Sequence, residues 1–242
     1  MKKSLLLLFF WLPGLFCFGQ SLPQRSFEGT IMGKIPITLT LSEDGDAIFG
    51  TLIYKKKGIP ITVIGSKYDG TYFLKEHMPN GEVTGVFSIS PKGTGLEGIW
   101  SAPKRDAKEL KVSLKQTSRN TVASKPLPDL TGTYYYSFGA EDGSGELKVQ
   151  QAGPGKLVIA LSAVTGGPSF HIADLEKTTI SLKGNKAIYE NKEFGACKLL
   201  FTFGKNSVQI DYLDDAYECG FGARASAAGS YVRIKASKPD FL

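Results

Sequence analysis

The densest group of chemically capable side chains lies near the C-terminus. Asp211, Asp214, Asp215 and Glu218 are flanked by Tyr212, Tyr217, Phe221 and Arg224. Oxygen-rich loops can hold Ca²⁺, but the alternating Asp-x-Asp-x-Asp register with its glycine turn is missing. Paired carboxylates can hydrolyse glycosides only when opposed across a cleft at a defined separation, which acids clustered in one loop do not supply. Tyrosine and arginine beside carboxylates suit a protein interface better, since both are preferred interface anchors. Most of the cluster lies between Cys197 and Cys219. An even pair of cysteines in an oxidising compartment reads as one disulfide. Closing that loop is worth about 3 kcal/mol in the chain-entropy picture, and a constrained loop binds at lower entropic cost. The expectation is a contact surface at Tyr212, Asp214, Asp215, Tyr217, Glu218, Phe221 and Arg224, with no catalytic residue, metal ligand or cofactor.

Other motifs fall away on inspection. Gly93-Thr94-Gly95-Leu96-Glu97-Gly98 satisfies the dinucleotide pattern, but that chemistry needs a following helix, and Ile99-Trp100 reads as strand. Ser101-Ala102-Pro103-Lys104 has the spacing of serine acyl-enzymes, but Pro103 and the flanking strands make it a hairpin connection. The two histidines, His77 and His171, fall in different halves and have no neighbour at metal-ligand spacing. Tyr134 and Tyr136 share one face of a strand and read as barrel wall, with stacking on a sugar as the other use. Lys55-Lys56-Lys57 is a solvated turn.

The start of the chain sets the compartment. Met1-Lys2-Lys3 is positive, the run from Leu5 to Leu12 is apolar, and small residues precede a cut at Gly19/Gln20. That order is a secretory signal peptide, and its apolar run is too short to remain as a membrane span. Phe16 before Cys17 argues against a lipid anchor. The mature chain is expected to be secreted or periplasmic. Losing Lys2 and Lys3 lowers the formal net charge from +6 to +4. Without an arginine-rich run, that is no nucleic-acid binder.

Behind these residues the pattern is all-β. Short alternating runs recur at sandwich or barrel spacing, at residues 27–32, 35–41, 47–54, 59–68, 71–76, 83–90, 96–101 and 109–115. Asp69-Gly70 is the clearest two-residue hairpin turn. In 35–41 the odd positions are apolar and the even ones are not, so one face is core and one is wet. Eight such strands close most naturally into a barrel, which removes exposed edges. Glycines 29, 50, 85 and 98 within these runs either thin the wall or mark bends. Residues 116–129 read as an extended linker with two prolines. A second β pattern fills 130–235, with 170–182 long and mixed enough to hold a strand, a turn and another strand, and a tail follows at 236–242. This half opens with Gly132-Thr133-Tyr134 and closes with Gly229-Ser230-Tyr231, which fits first and last strands pairing.

The stretches Phe27-Glu28-Gly29-Thr30-Ile31 and Gly98-Ile99-Trp100 resemble the glycine–aromatic strand signatures of calycin-like, lipocalin-type barrels. Gly195-Ala196-Cys197, Cys219-Gly220-Phe221-Gly222 and Gly229-Ser230-Tyr231 resemble small disulfide-stapled secreted β-domains of the periplasmic lysozyme-inhibitor type. The resemblance implies two antiparallel β-barrel-like domains in tandem, at 20–115 and 130–235. The functional expectation is a non-enzymatic envelope binding module whose partner is a protein, such as a hydrolase it restrains. A carrier of a small apolar ligand comes second, and an enzyme acting on cell-wall sugars last. Oligomeric state is not legible.

Overall fold

A computed structural model describes residues 21–123, 127 and 129–241. The expected signal peptide, Cys17 and part of the expected linker lie outside the described residues. The described chain is all-β and forms two closed eight-stranded antiparallel barrels.

The first barrel comprises β1 (Ser21–Ile31), β2 (Ile35–Asp44), β3 (Ala47–Tyr54), β4 (Pro60–Tyr68), β5 (Thr71–His77), β6 (Val83–Lys92), β7 (Gly95–Ser101) and β8 (Leu110–Ala123). Each strand pairs with the next, and β1 pairs β8 over its full length. Tyr68 faces Thr71 across the Asp69-Gly70 turn, where both residues take positive φ. Alternation puts Ile37, Leu39 and Leu41 inside, with Phe27, Tyr72 and Phe87. A Cβ at Gly29, Gly50 or Gly98 would strike the carbonyl of Ser113, Thr40 or Ser88, so these glycines mark close strand approach.

Residues 116–123, expected as linker, instead continue β8 and pair with Ser21–Phe27 of β1. This ribbon is largely exposed. Backbone hydrogen bonds hold it without the apolar alternation that marks a half-buried strand.

The second barrel comprises β9 (Gly132–Ser137), β10 (Ser144–Gln151), β11 (Lys156–Val164), β12 (Ile172–Lys183), β13 (Lys186–Asn191), β14 (Cys197–Phe203), β15 (Ser207–Tyr217) and β16 (Gly229–Lys235). First and last strands pair, as the repeated Gly-hydroxyl-Tyr triplets suggest. The two tyrosines are buried and used alike. Tyr134 donates to the Leu130 carbonyl and Tyr231 to the Ala227 carbonyl, each at 2.9 Å and four residues back. Tyr136 is also core, edge-on to Tyr231 at 4.9 Å.

The barrels meet through turns. The β5–β6 turn of the first docks on β9 of the second, where the Ser137 amide donates to the Gly81 carbonyl at 3.0 Å. The β2–β3 turn docks on the β12–β13 turn, where Lys186 Nζ lies 2.8 Å from Asp44 and Asn185 donates to the same carboxylate. Val83 of the first barrel belongs to the core of the second.

Candidate functional site

The disulfide Cys197–Cys219 is present, with Cα atoms 4.7 Å apart. The acidic cluster between them is strand rather than loop. β15 runs on to Tyr217, and the step from Leu199 to Cys197 on β14 spans Tyr212 to Tyr217 on β15. The surplus residues bulge outward, and Asp214 and Asp215 both take left-handed conformations there, at φ 58° and 54°. Such a bulge redirects side chains. It spends most of this cluster locally. Asp214 pairs Lys198 at 2.9 Å, Tyr217 donates to Asp215 at 2.8 Å, and Glu218 accepts the Ala196 amide at 3.0 Å. Tyr212 stacks edge-on with Tyr217 at 5.0 Å.

Phe221 and Arg224 leave this cluster for two different clefts. Phe221 lines one beside Cys219, while Arg224 lines another against the first barrel. His171 and Ile172 stand between them, each on one cleft. The expected surface is therefore three neighbouring places.

The cleft holding Phe221 arises from a fault in the second barrel's wall. β12 and β13 pair only at Leu182–Ala187 and Lys183–Lys186, next to their turn. Beyond that they diverge. The cause is a bulge in β12. Ile159 and Leu161 of β11 face Thr178 and Leu175, so β12 carries one extra residue. The inward positions accordingly change parity, from Ala173 and Leu175 to Ile180. A bulge bends its strand, and here the far edge of β12 leaves β13.

The result is a slot with a strand edge on each side. One part, of about 340 Å³, lies between Thr178–Ser181 and Ile188–Glu190. The wider part, of about 660 Å³, continues to Phe194, Cys219 and Phe221. Asp174, Glu176, Glu190 and Glu193 line it. Its one lysine, Lys177, has its ammonium 5.2 Å from the Phe241 ring. Ile172, Ile188 and Phe194 are exposed at its rim. Cys219 ties the far end to β14, which holds Gly220 under the Phe194 ring. Sequence reasoning found Phe221 and a strand, or two about a turn, over 170–182, but not the bulge. Its signal was the mixed pattern there, since β12 is one bulged strand.

Inside the first barrel two polar groups plug opposite ends. Arg25 donates to Glu43 and Tyr72, with Lys67 3.6 Å from Glu43. At the other end Glu76 accepts from Tyr54 at 2.7 Å, Trp100 at 2.6 Å and Thr84 at 3.3 Å. Burial outweighs these three donors and raises the Glu76 pKa above the ordinary carboxylate value. A side chain at Gly85 would collide with both Glu76 and Trp100, so the glycine makes room for that contact.

Two antiparallel eight-stranded barrels in tandem, consistent with calycin-like architecture, thus define the class. No family model matches the chain, and neither a search of curated proteins nor one of solved structures returned a match.

Proposed function

We propose that this protein is a non-enzymatic binding module that captures an extended, basic segment of a partner protein in the slot between β12 and β13. The observation that carries this is the pairing of those strands at two residue pairs only. Open strand edges present rows of amides and carbonyls, and an extended peptide satisfies them by adding as a strand. The carboxylates of Asp174, Glu176, Glu190 and Glu193 select positive charge. The exposed side chains of Ile172, Ile188 and Phe194 supply apolar contact. A basic, exported partner such as an envelope hydrolase fits this surface. Against the carrier reading, fully buried side chains such as Tyr72, Phe87, Tyr134 and Phe201 fill both barrels.

The test is capture of a synthetic lysine-rich strand peptide by the chain without its leader. Glu176→Lys with Glu190→Lys changes two exposed side chains and should leave the melting curve unchanged. Capture is expected for the wild type, with about tenfold or more lost in the variant. N-methylation of alternate peptide amides is expected to abolish it, because strand addition needs those donors. No capture by the wild type, or equal capture of the methylated peptide, overturns the proposal.

A further inference from the structure

The cleft that receives Arg224 has different chemistry from the slot. It measures about 590 Å³, within the range of small-molecule sites, and lies where one barrel meets the other. Its first wall is the β7–β8 turn, which presents Arg105. That turn is fixed by the Lys104 amide on the Ala102 carbonyl at 2.8 Å, with Asp106 at φ 58°. The second barrel contributes Arg224 to the lining, itself left-handed at φ 61°. The Gly222 amide ties that segment to the Ile172 carbonyl at 2.9 Å. Neither guanidinium has a hydrogen-bond or ion-pair partner among the described residues.

The rest of the lining suits an anion with hydroxyl groups. Asp142 adds one carboxylate beside the two arginines, leaving a formal surplus of one positive charge. Phe138 offers a ring held from two sides: Tyr136 meets it edge-on at 5.5 Å, and Lys75 Nζ sits 5.4 Å from its centroid. The glycine-rich segment 165–169 also lines the cleft. It is locked by the Gly167 amide on the Glu141 carbonyl and the His171 amide on Thr165 Oγ1, both at 2.9 Å. A site so fastened loses little freedom when a ligand enters.

The geometry points to a site for a small, hydroxylated, carboxylate-bearing ring, of the acidic-sugar class, gripped between Arg105 and Arg224. Two guanidinium forks suit a carboxylate, Asp142 accepts from ring hydroxyls, and Phe138 covers the apolar face. This site is independent of peptide capture in the slot.

Glucuronate is the probe, with glucose and acetate as controls, titrated calorimetrically into the chain without its leader. Glucuronate is expected to bind, glucose to fail for want of charge, and acetate to bind more weakly for want of a ring. Arg105→Gln and Arg224→Gln change exposed side chains, and each is expected to weaken glucuronate about tenfold or more without moving the melting curve. The slot variant Glu176→Lys/Glu190→Lys is expected to bind glucuronate as the wild type does. Absence of glucuronate binding overturns the proposal, as does binding that either arginine substitution leaves unchanged. Acetate binding as tight as glucuronate overturns the ring assignment.

Discussion

The two barrels have the same strand count and opposite habits at the seam. In the first, β1 and β8 pair along the whole of β1, and both ends of the interior are plugged by hydrogen-bonded charge. In the second, β12 and β13 hold together at two residue pairs, and a disulfide clamps the strands beyond them. The lesson concerns division of labour. A wall with complete ladders has no backbone donors to offer, whereas an interrupted wall keeps them, provided something else holds the barrel shut. Cys197–Cys219 holds one end of the slot, and Asp44 of the first barrel holds the other through Lys186 and Asn185. Under the proposed function, the first barrel is the rigid support and the second carries the binding surface.

The sharpest way to break that partnership is acid. His77 lies on the opposite face of β5 from Glu76, beside the turn that docks on β9. It is 1% exposed, and neither ring nitrogen has a hydrogen-bond partner among the described residues. Burial, with Lys75 adding like charge, pushes its pKa down to about 3. A depressed imidazole pKa means that the unfolded chain takes up a proton the folded chain refuses. The stability it protects is complete above pH 6.5 and is lost as pH falls towards 3. The full span corresponds to roughly 5 kcal/mol. His77→Leu is expected to abolish that portion of the acid sensitivity and to raise stability at neutral pH by removing unsatisfied polar atoms. Denaturant titrations of both proteins from pH 7 to pH 3 check this. Parallel loss in the variant would mean the acid-sensitive group lies elsewhere.

Next in size is the clamp. Cys197→Ser with Cys219→Ser should cost about 3 kcal/mol. The comparison predicts where the loss appears. Amide exchange should quicken in β13, β14 and the end of β15, while β1 and β8 keep their protection. Uniform loosening of both barrels would deny the first its role as independent support.

The all-β class, both barrels and the disulfide were legible because alternation, turn residues and cysteine count are local signals. Ile37, Leu39 and Leu41 announce their buried face by parity alone. What escaped reading depended on partners. The outer part of β8 has no buried face to announce. The bulge in β12 breaks parity between Leu175 and Ile180, so a single strand looks like two. Asp214 and Asp215 look like loop residues, since aspartate favours left-handed turns, yet they lie within a bulged strand. Arg105 could not be linked to Arg224 from sequence, because only the docking of one barrel on the other puts them on one cleft.

A smaller effect tests the other end of the slot. Asp44 is 5% exposed and holds both Lys186 and Asn185. Asp44→Ala removes the link between the supporting barrel and the β12–β13 turn. The expected cost is about 1–3 kcal/mol, the usual range for partners left unpaired in a buried site. Exchange at Lys183 and Lys186, the pair whose amides point across the seam, should accelerate most, while Leu182, whose amide is held by the Gly155 carbonyl, should change less. If the Lys183 and Lys186 amides are unmoved, the two remaining pairs between β12 and β13 hold without help from the first barrel.

The smallest effect distinguishes a plug from a working acid inside the first barrel. Tyr54 and Trp100 both donate to one Glu76 oxygen, and Thr84 donates to the other. Glutamine can keep its carbonyl towards Tyr54 and Trp100 and offer its amide to the Thr84 hydroxyl, so Glu76→Gln retains the network. A raised carboxyl pKa gives stability that is full below the ordinary value and declines as pH rises through the folded one. The glutamine cannot ionise and escapes that decline. Its melting temperature is therefore expected to match the wild type at acid pH and to rise above it as pH increases. Glu76→Ala should instead be less stable at every pH, since it strands three donors. A glutamine variant that tracks the wild type at all pH values would show that the buried carboxylate ionises without cost, and that the first barrel tolerates charge at its plug as readily as the second does at its open slot.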